Sequence, residues 1–275
     1  MIYIQKQRTP EAVKKKATEL TLAPENHYKQ IVLPQDTKKL RVLFEQMPKA
    51  EISHALCREQ HGLCAYCMSR ISADEHASMR IEHYQALSRN KSLALDYTNF
   101  LGVCHGGGNE KTAKPRVLCC DAARGEKELV INPWNRRQMD AVAYRRNGQI
   151  FIRNDVGLDP QLVNDMQNDL DNILVLNGIK DDKGNVKHDT STRLVAKRRS
   201  TYDSIARQFE RWDSKGCLTA DYLQEQISQL EGQLKGEAEA IEFIGVRLYF
   251  LREKYKKLKR LKLRPASTGS AQKRA

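Results

Sequence analysis

Apolar residues recur at helical spacing in several stretches of the chain, with polar residues between them. Leu40, Leu43 and Phe44 fall on one face of a predicted helix over 37–47. A second short helix is predicted over 51–61, because apolar residues lie on one side of it and Gly62 follows. The same pattern predicts four longer helices in the second half of the chain, at 160–177, 190–212, 219–232 and 236–262.

Two stretches alternate between apolar and polar residues, which is typical of strands. The segment AVAYRRNGQIFIR contains two alternating runs joined by Asn147-Gly148, a strong hairpin signal. Residues 79–84 also alternate, and they predict a short strand with Glu82 and His83 on opposite faces. The segment VCHGGGNEKTAKP is a loop by composition.

These elements predict an α+β fold in four parts. Residues 1–61 form an N-terminal helical segment and residues 62–135 form a core that is rich in Cys and His. Residues 136–264 contain the hairpin and the helices, and we expect them to dock a partner or nucleic acid. Residues 265–275 form a tail that is predicted to be disordered because it is small and polar.

The charge of the chain narrows the classes of partner. The 275 residues contain 47 Lys and Arg against 34 Asp and Glu, which gives a net charge of +13. Such a surplus favours a polyanionic partner, most simply nucleic acid, over a mere contribution to solubility. The last 24 residues contain ten basic residues against the single acid Glu253, which indicates a docking arm for nucleic acid or protein.

The cysteines are clustered: of seven, five fall between Cys64 and Cys120. The N-terminal residues have no apolar run typical of a signal peptide, and no stretch approaches the roughly 18 apolar residues of a membrane helix. We therefore expect a soluble protein without a membrane partner, in the reducing cytoplasm. In that compartment clustered cysteines are metal ligands more often than disulfides.

The cysteine spacing predicts a structural zinc site. Cys64 and Cys67 form a Cys-x-x-Cys knuckle, which holds one metal while the backbone turns between its two thiolates. The most economical complete site is a closed cage of four thiolates: Cys64, Cys67, Cys104 and Cys120. Cys119 or His105 could replace one of these ligands, and the sequence leaves that choice open.

The order of these motifs resembles that of an HNH endonuclease, whose ββα-metal fold is often braced by a four-cysteine zinc site. The order is Cys-x-x-Cys, Glu-His, Asn, Cys, and then Cys-Asp-x-x-Arg. Further blocks resemble the HNH subunit (PtuB) of Septu anti-phage systems and of Septu-like retron defence systems: IYIQKQRTPE, QHGLCAYC, RIEHY, LDYTNFLGVCHGG, CCDAARGE, INPW and ILVLN. The likeness covers roughly residues 1–210.

The resemblance implies a role for each of five residues. His83 would be the general base, and Glu82 and Asp121 would hold a catalytic Mg²⁺ or Mn²⁺. Asn99 would brace the loop that carries the histidine, and Arg124 would bind a phosphate oxygen. The chain departs from the usual signature in three ways. It has Asp121 in place of His or Asn, Arg124 in place of Lys, and a longer insertion between Cys104 and Cys120.

The function implied by this resemblance is metal-dependent hydrolysis of phosphodiester bonds in a bacterial anti-phage complex. DNA is slightly favoured as the substrate over tRNA. The resemblance implies a Septu-type ATPase subunit (PtuA) as partner and, in a retron, a reverse transcriptase with its msDNA. The chain has no Walker A motif, so it cannot supply ATP-driven control itself. The alternative is a non-catalytic zinc module that binds nucleic acid or a partner protein. Such a module would need neither the Glu-His pair nor Asn99 and Asp121.

Overall fold

The structure is a computed structural model, and it describes residues 1–74, 78–109, 114–236 and 238–262 as a mixed α+β chain. The α-helices within these ranges are α1 (Glu11–Leu22), α2 (Thr37–Glu45), α3 (Lys49–Glu59), α4 (Cys120–Arg124), α5 (Arg136–Ala141), α6 (Pro160–Asn168), α7 (Leu194–Ser214), α8 (Ala220–Gln233) and α9 (Ile244–Lys262).

The strands of the described residues form three antiparallel pairs, each a two-stranded sheet. The pairs are β1 (Arg80–His83) with β2 (Phe100–Val103), β3 (Val142–Tyr144) with β4 (Ile150–Ile152), and β5 (Ile179–Lys180) with β6 (Val186–His188). The predicted hairpin is confirmed: β3 and β4 are joined by a turn in which Gly148 has a φ of 89°, a conformation that favours glycine.

The N-terminal helices and the loop between β1 and β2 share one hydrophobic core. Val13 and Leu20 of α1 are buried there, seven residues apart, among otherwise charged and polar neighbours. This helix was not predicted, because its few large apolar residues, Val13, Leu20 and the exposed Leu22, give only a faint periodic signal. The core also includes Phe44 of α2 and Phe100 of β2, so it covers one side of the β1–β2 pair.

A second hydrophobic core joins the cysteine-rich region to the rest of the chain. It contains the buried cysteines together with apolar residues of the β3–β4 hairpin and of α6, α8 and α9. Ile244, Leu248 and Leu251 of α9 are all buried in it. The predicted segments 62–135 and 136–264 therefore pack on a common core.

The helix predicted over 236–262 is too long at its start, since α9 begins at Ile244. The residues before it are irregular, with a turn at 242–243, and they bind the segment around the cysteine knuckle through backbone groups. Ala240 N donates to His61 O at 2.9 Å, and Phe243 N donates to Met68 O at 3.2 Å. Arg70 Nη2 also donates to Ala240 O at 2.7 Å. These long-range hydrogen bonds take the place of helical ones. The spacing of apolar residues in the sequence does not predict them.

The helix predicted over 160–177 also ends early: α6 stops at Asn168 and continues as a wider π-helical turn, Asp169–Ile173. The break predicted after it contains the short β5–β6 hairpin. None of the described helices is long and apolar enough to cross a membrane. The tail 265–275, predicted to be disordered, lies outside the described residues.

Candidate active site and metal centre

Four buried cysteines meet next to the β1–β2 pair. Their Sγ atoms all lie within 4.8 Å of one another, and the Sγ atoms of Cys67 and Cys104 are 3.6 Å apart. A Zn–S bond of about 2.3 Å implies tetrahedral S···S edges of about 3.8 Å, so this spacing fits one zinc ion. The group is Cys64, Cys67, Cys104 and Cys120, the set that was predicted. It is positioned to bind a metal ion such as zinc.

The knuckle is shaped by backbone hydrogen bonds around the first two thiols. Cys64 N donates to Ser69 O at 2.9 Å, and Met68 N donates to Cys64 O at 3.0 Å. Met68 has a φ of 65°, which closes the turn directly after Cys67. The turn presents both thiols to the same side.

Neither alternative ligand belongs to this group of thiols. Cys119 is buried, and its Sγ lies 3.5 Å from Thr192 Oγ1. His105 Nδ1 accepts a hydrogen bond from Arg80 Nε at 3.0 Å. The backbone at Cys119 is extended and that at Cys120 has a φ of 54°, so the two adjacent thiols point to different neighbours.

Two carboxyl groups, one buried and one partly exposed, meet beside the cysteine cage. Glu82, near the end of β1, is only 9% exposed, and its carboxyl lies against that of Asp121 in the first turn of α4. Burial first, and the neighbouring Asp121 carboxyl second, raise the pKa of Glu82 to about 9. Arg124 acts in the opposite direction through an ion pair with Glu82 Oε1.

Arg124 is fully buried and all of its nitrogens bind the protein. Its Nε donates to Lys127 O at 2.8 Å, and its Nη1 donates to Tyr66 Oη at 3.1 Å as well as to Glu82. Its Nη2 donates to the backbone oxygen of Tyr84. The phosphate-binding role expected for Arg124 does not agree with this placement, because the guanidinium has no edge open to a substrate. Arg124 braces Glu82 and the end of β1 instead.

His83 lies on the other side of β1, against the aromatic part of the N-terminal core. Its ring is 4.4 Å from the Phe44 ring and 4.9 Å from the Phe100 ring, centroid to centroid. Its Nε2 is 2.9 Å from Ala94 O, so Nε2 carries the proton and Nδ1 keeps its lone pair. No group of the described residues hydrogen-bonds Nδ1. Burial lowers the pKa of His83 to about 4, although the Ala94 carbonyl raises it, and the ring is therefore neutral near pH 7.

Asn99 ties together the two ends of the loop between β1 and β2. Its Oδ1 accepts from Gln85 N at 2.8 Å, and its Nδ2 donates to Gln85 O at 2.9 Å and to Leu93 O at 3.2 Å. This loop supplies the Ala94 carbonyl that holds the His83 ring. A buried amide with three such bonds fixes the path of the backbone on which the imidazole depends.

Basic side chains from α2 and α3 lie on the same side of β1 as His83. The Lys49 ammonium is 2.9 Å from the centroid of the Phe44 ring, whose other contacts include His83. The charges of Lys49 and Arg41 both lower the pKa of His83. The sequence indicated helices here, but nothing in their pattern placed them beside the Glu-His pair.

Arg80 is a further residue of this region that sequence reasoning did not single out. It lies two positions before Glu82, and the two-residue period of a strand places both on one face. Its Nη1 is 3.4 Å from Asp121 Oδ2, and its Nε binds His105. The spacing of two residues between Arg80 and Glu82 was the feature of the sequence that could have identified Arg80.

Comparison with known proteins gives one partial likeness. No family model matches the chain. Over 79 residues it is 29% identical to the protein named "Retron Ec83 putative HNH endonuclease" of Escherichia coli. The matched stretch is 26% of this chain and 31% of that protein, so the chain aligns with about a third of the relative.

Proposed function

We propose that the chain is an HNH-type endonuclease that hydrolyses phosphodiester bonds with the help of a divalent cation. The observation that carries the proposal is the pair of carboxyl groups of Glu82 and Asp121, which meet beside a four-cysteine cage in the chain order strand, strand, helix. A ββα-metal core would have this order, which supports the proposal. The partial likeness to a retron HNH protein supports the same class.

The two carboxyl groups fit a hard divalent cation. Carboxylate oxygens are the donors that Mg²⁺ and Mn²⁺ prefer, and Mg²⁺ commonly takes only one or two carboxylates and completes its shell with water and phosphate. The raised pKa of Glu82 comes first from its burial and then from the neighbouring Asp121, and a carboxylate in such a place is stabilised by a cation. When bound, the cation would stabilise the negative charge that develops on the phosphate and the leaving oxygen.

The remaining residues would orient and deprotonate the attacking water. His83 is the last residue of β1, and the lone pair of its Nδ1 would accept the proton where the substrate passes that end of the strand, since the ring is neutral and Ala94 holds its other nitrogen. Asn99 would act as a positioning residue through the loop that contains Ala94. The cysteine cage would anchor Cys120, the residue directly before Asp121, and would thereby fix the start of α4.

A nucleic-acid substrate suits the charge around the site. Lys49 and Arg41 flank the histidine, and the whole chain has a net charge of +13. DNA remains slightly favoured over tRNA. In a Septu-like or retron defence complex the chain would work with an ATPase subunit, and a reverse transcriptase with msDNA would be a further partner. The competing proposal is a zinc module that binds nucleic acid without cutting it.

Cleavage by the purified chain tests this function. We expect end-labelled DNA or tRNA to be cut in millimolar Mg²⁺ or Mn²⁺, and cutting to stop when EDTA removes the weakly held cation. Brief EDTA followed by excess Mg²⁺ should restore activity, because a closed thiolate cage keeps its zinc far more firmly than two carboxylates keep Mg²⁺. Tight nucleic-acid binding with no cutting in either metal would favour the binding module.

The second half of α9 is the best candidate for the docking arm. Lys254, Lys257 and Lys259 have no carboxylate partner among the described residues, whereas the first half of the helix is buried in the core. Lys254 lies over the Phe209 ring and Lys259 over the Tyr255 ring, which leaves their charges available. We propose that this surface binds the nucleic-acid backbone, with the partner ATPase as the alternative.

Charge reversal at these three lysines distinguishes the two partners. Changing all three to glutamate should weaken DNA binding at least about tenfold and lower its salt slope by roughly 2 or more, at about 0.9 for each lost phosphate contact. The matched control changes the exposed Lys14, Lys15 and Lys29 to glutamate, which alters the net charge equally. Equal effects of the two triple variants would mean that only net charge matters. An undiminished salt slope with lost ATPase binding would assign the surface to the ATPase.

A further inference from the structure

The buried position of Arg124 leaves the region around Glu82 and Asp121 without the phosphate contact expected there. A phosphodiester group bound at two carboxylates needs cationic donors besides the metal, because its non-bridging oxygens carry the charge. Arg124 cannot provide one, since its nitrogens bind Glu82, Tyr66 and backbone oxygens. Another cationic side chain near Glu82 and Asp121 must therefore provide the phosphate contact.

Arg80 is on the correct face of β1 for that contact. It pairs with Val103 of β2 while Glu82 pairs with Leu101, so Arg80 and Glu82 are successive residues on one face. The Arg80 side chain is 46% exposed, in contrast to the 1% exposure of Arg124. The Arg80 guanidinium is therefore accessible to solvent on the same face of β1 on which Glu82 is buried.

The contacts of Arg80 hold the guanidinium in place but leave part of it free. His105 Nδ1 accepts from Nε at 3.0 Å and fixes the plane of the group. Asp121 Oδ2 is 3.4 Å from Nη1, a longer separation than the 2.7–2.9 Å or so of a strong charge-assisted bond. Nη2 donates to no group of the described residues. A ligand oxygen has both N–H groups of Nη2 available to it, and the weak contact with Asp121 is easily exchanged.

We propose that Arg80 binds a non-bridging phosphate oxygen of the nucleic-acid backbone beside Glu82 and Asp121. This inference rests on the proposed nuclease function, and it assigns the phosphate contact to a residue that the motif does not contain. His105 acts as the positioning residue, since its imidazole accepts from Nε and holds the guanidinium with Nη1 on the side of Asp121. The planar guanidinium suits this task, because its donors match the geometry of phosphate.

The test compares Arg80→Gln with Arg89→Gln. Arg89 is an exposed residue 3.9 Å from Glu128, so its substitution changes net charge by the same amount on another part of the surface. Cleavage of end-labelled DNA and RNA is measured in Mg²⁺ over a range of substrate concentrations. Binding of the same oligonucleotides is measured against salt in chains that also carry His83→Asn, so that no substrate is consumed.

We expect Arg80→Gln to lower kcat/KM roughly 10- to 100-fold and to reduce the salt slope of binding by about 0.9, the value for one phosphate. Arg80→Lys should recover part of the affinity but less of kcat, since a lysine has the charge without the planar fork. Zinc content and melting temperature should stay at their wild-type values. Arg89→Gln should remain within about twofold of wild type in every measurement.

Two results would overturn the inference. One is a salt slope and a kcat/KM for Arg80→Gln that equal those of Arg89→Gln. The other is loss of zinc or of thermal stability in Arg80→Gln, which would make Arg80 a structural residue. Failure of the wild-type chain to cut any substrate would contradict the nuclease function instead, and the salt slopes would then decide on the Arg80 contact alone.

Discussion

Replacing Cys67 by serine is expected to remove the bound zinc and to lower the free energy of unfolding by about 3 kcal/mol or more. For a chain of this length, that loss corresponds to a fall in melting temperature of roughly 6–12 °C. The physical reason is that Cys67 is one of four buried thiols within 4.8 Å of one another, and a neutral hydroxyl is a poor ligand for zinc. Elemental analysis and a thermal melt measure both effects.

The effect should extend beyond the knuckle, because the cysteines belong to the same hydrophobic core as α8 and α9. Cys217→Ser is the matched control: this thiol is half-buried outside the group, and its Sγ donates to Trp212 O. The control should keep about one zinc per chain and melt within about 2 °C of wild type. If Cys67→Ser proves insoluble, a strong chelator added to the wild type must reproduce the destabilisation. A wild-type protein that contains no zinc and melts normally would contradict the cage.

The sequence was informative wherever a short local pattern determines structure. The Asn147-Gly148 turn identified the β3–β4 hairpin, because only a few residues adopt the backbone angles of such a turn. The spacing of Leu40, Leu43 and Phe44 identified α2, since all three are buried on one face. Cysteine count and spacing predicted a site of four thiols and favoured the four cysteines that cluster, although the exchange of one for Cys119 or His105 stayed open.

The sequence was uninformative where long-range packing determines the role of a side chain. Arg124 follows Asp121 by one helical turn, as the motif requires, yet its burial depends on Tyr66, which is 58 positions away. The choice between Cys119 and Cys120 depends on the φ of a single residue. The start of α9 depends on hydrogen bonds between residues 240–243 and the knuckle. None of these features produces a regular pattern of apolar and polar residues in the sequence.

Replacing His83 by alanine is expected to lower cleavage by a factor of about 10²–10⁴, the usual contribution of a general base. The half-buried imidazole is held through Nε2 by Ala94, and its free Nδ1 is the only proton acceptor that we assign to the attacking water. Alanine would also leave a small cavity beside Phe44 and Phe100, so the stability of this variant is measured separately from its activity. His83→Asn retains a donor for the Ala94 carbonyl but has no basic nitrogen, and it should be equally inactive.

The most direct measurement of the central claim is the single-turnover rate of nucleic-acid cleavage in Mg²⁺ for four purified chains. They are wild type, His83→Ala, His83→Asn and His54→Ala, the last being an exposed histidine of α3 that serves as the control. Zinc content and melting temperature are recorded for each. We predict cutting by wild type and by His54→Ala, and at least about a hundredfold loss in both His83 variants with zinc retained. Cutting by His83→Asn at the wild-type rate would contradict the account.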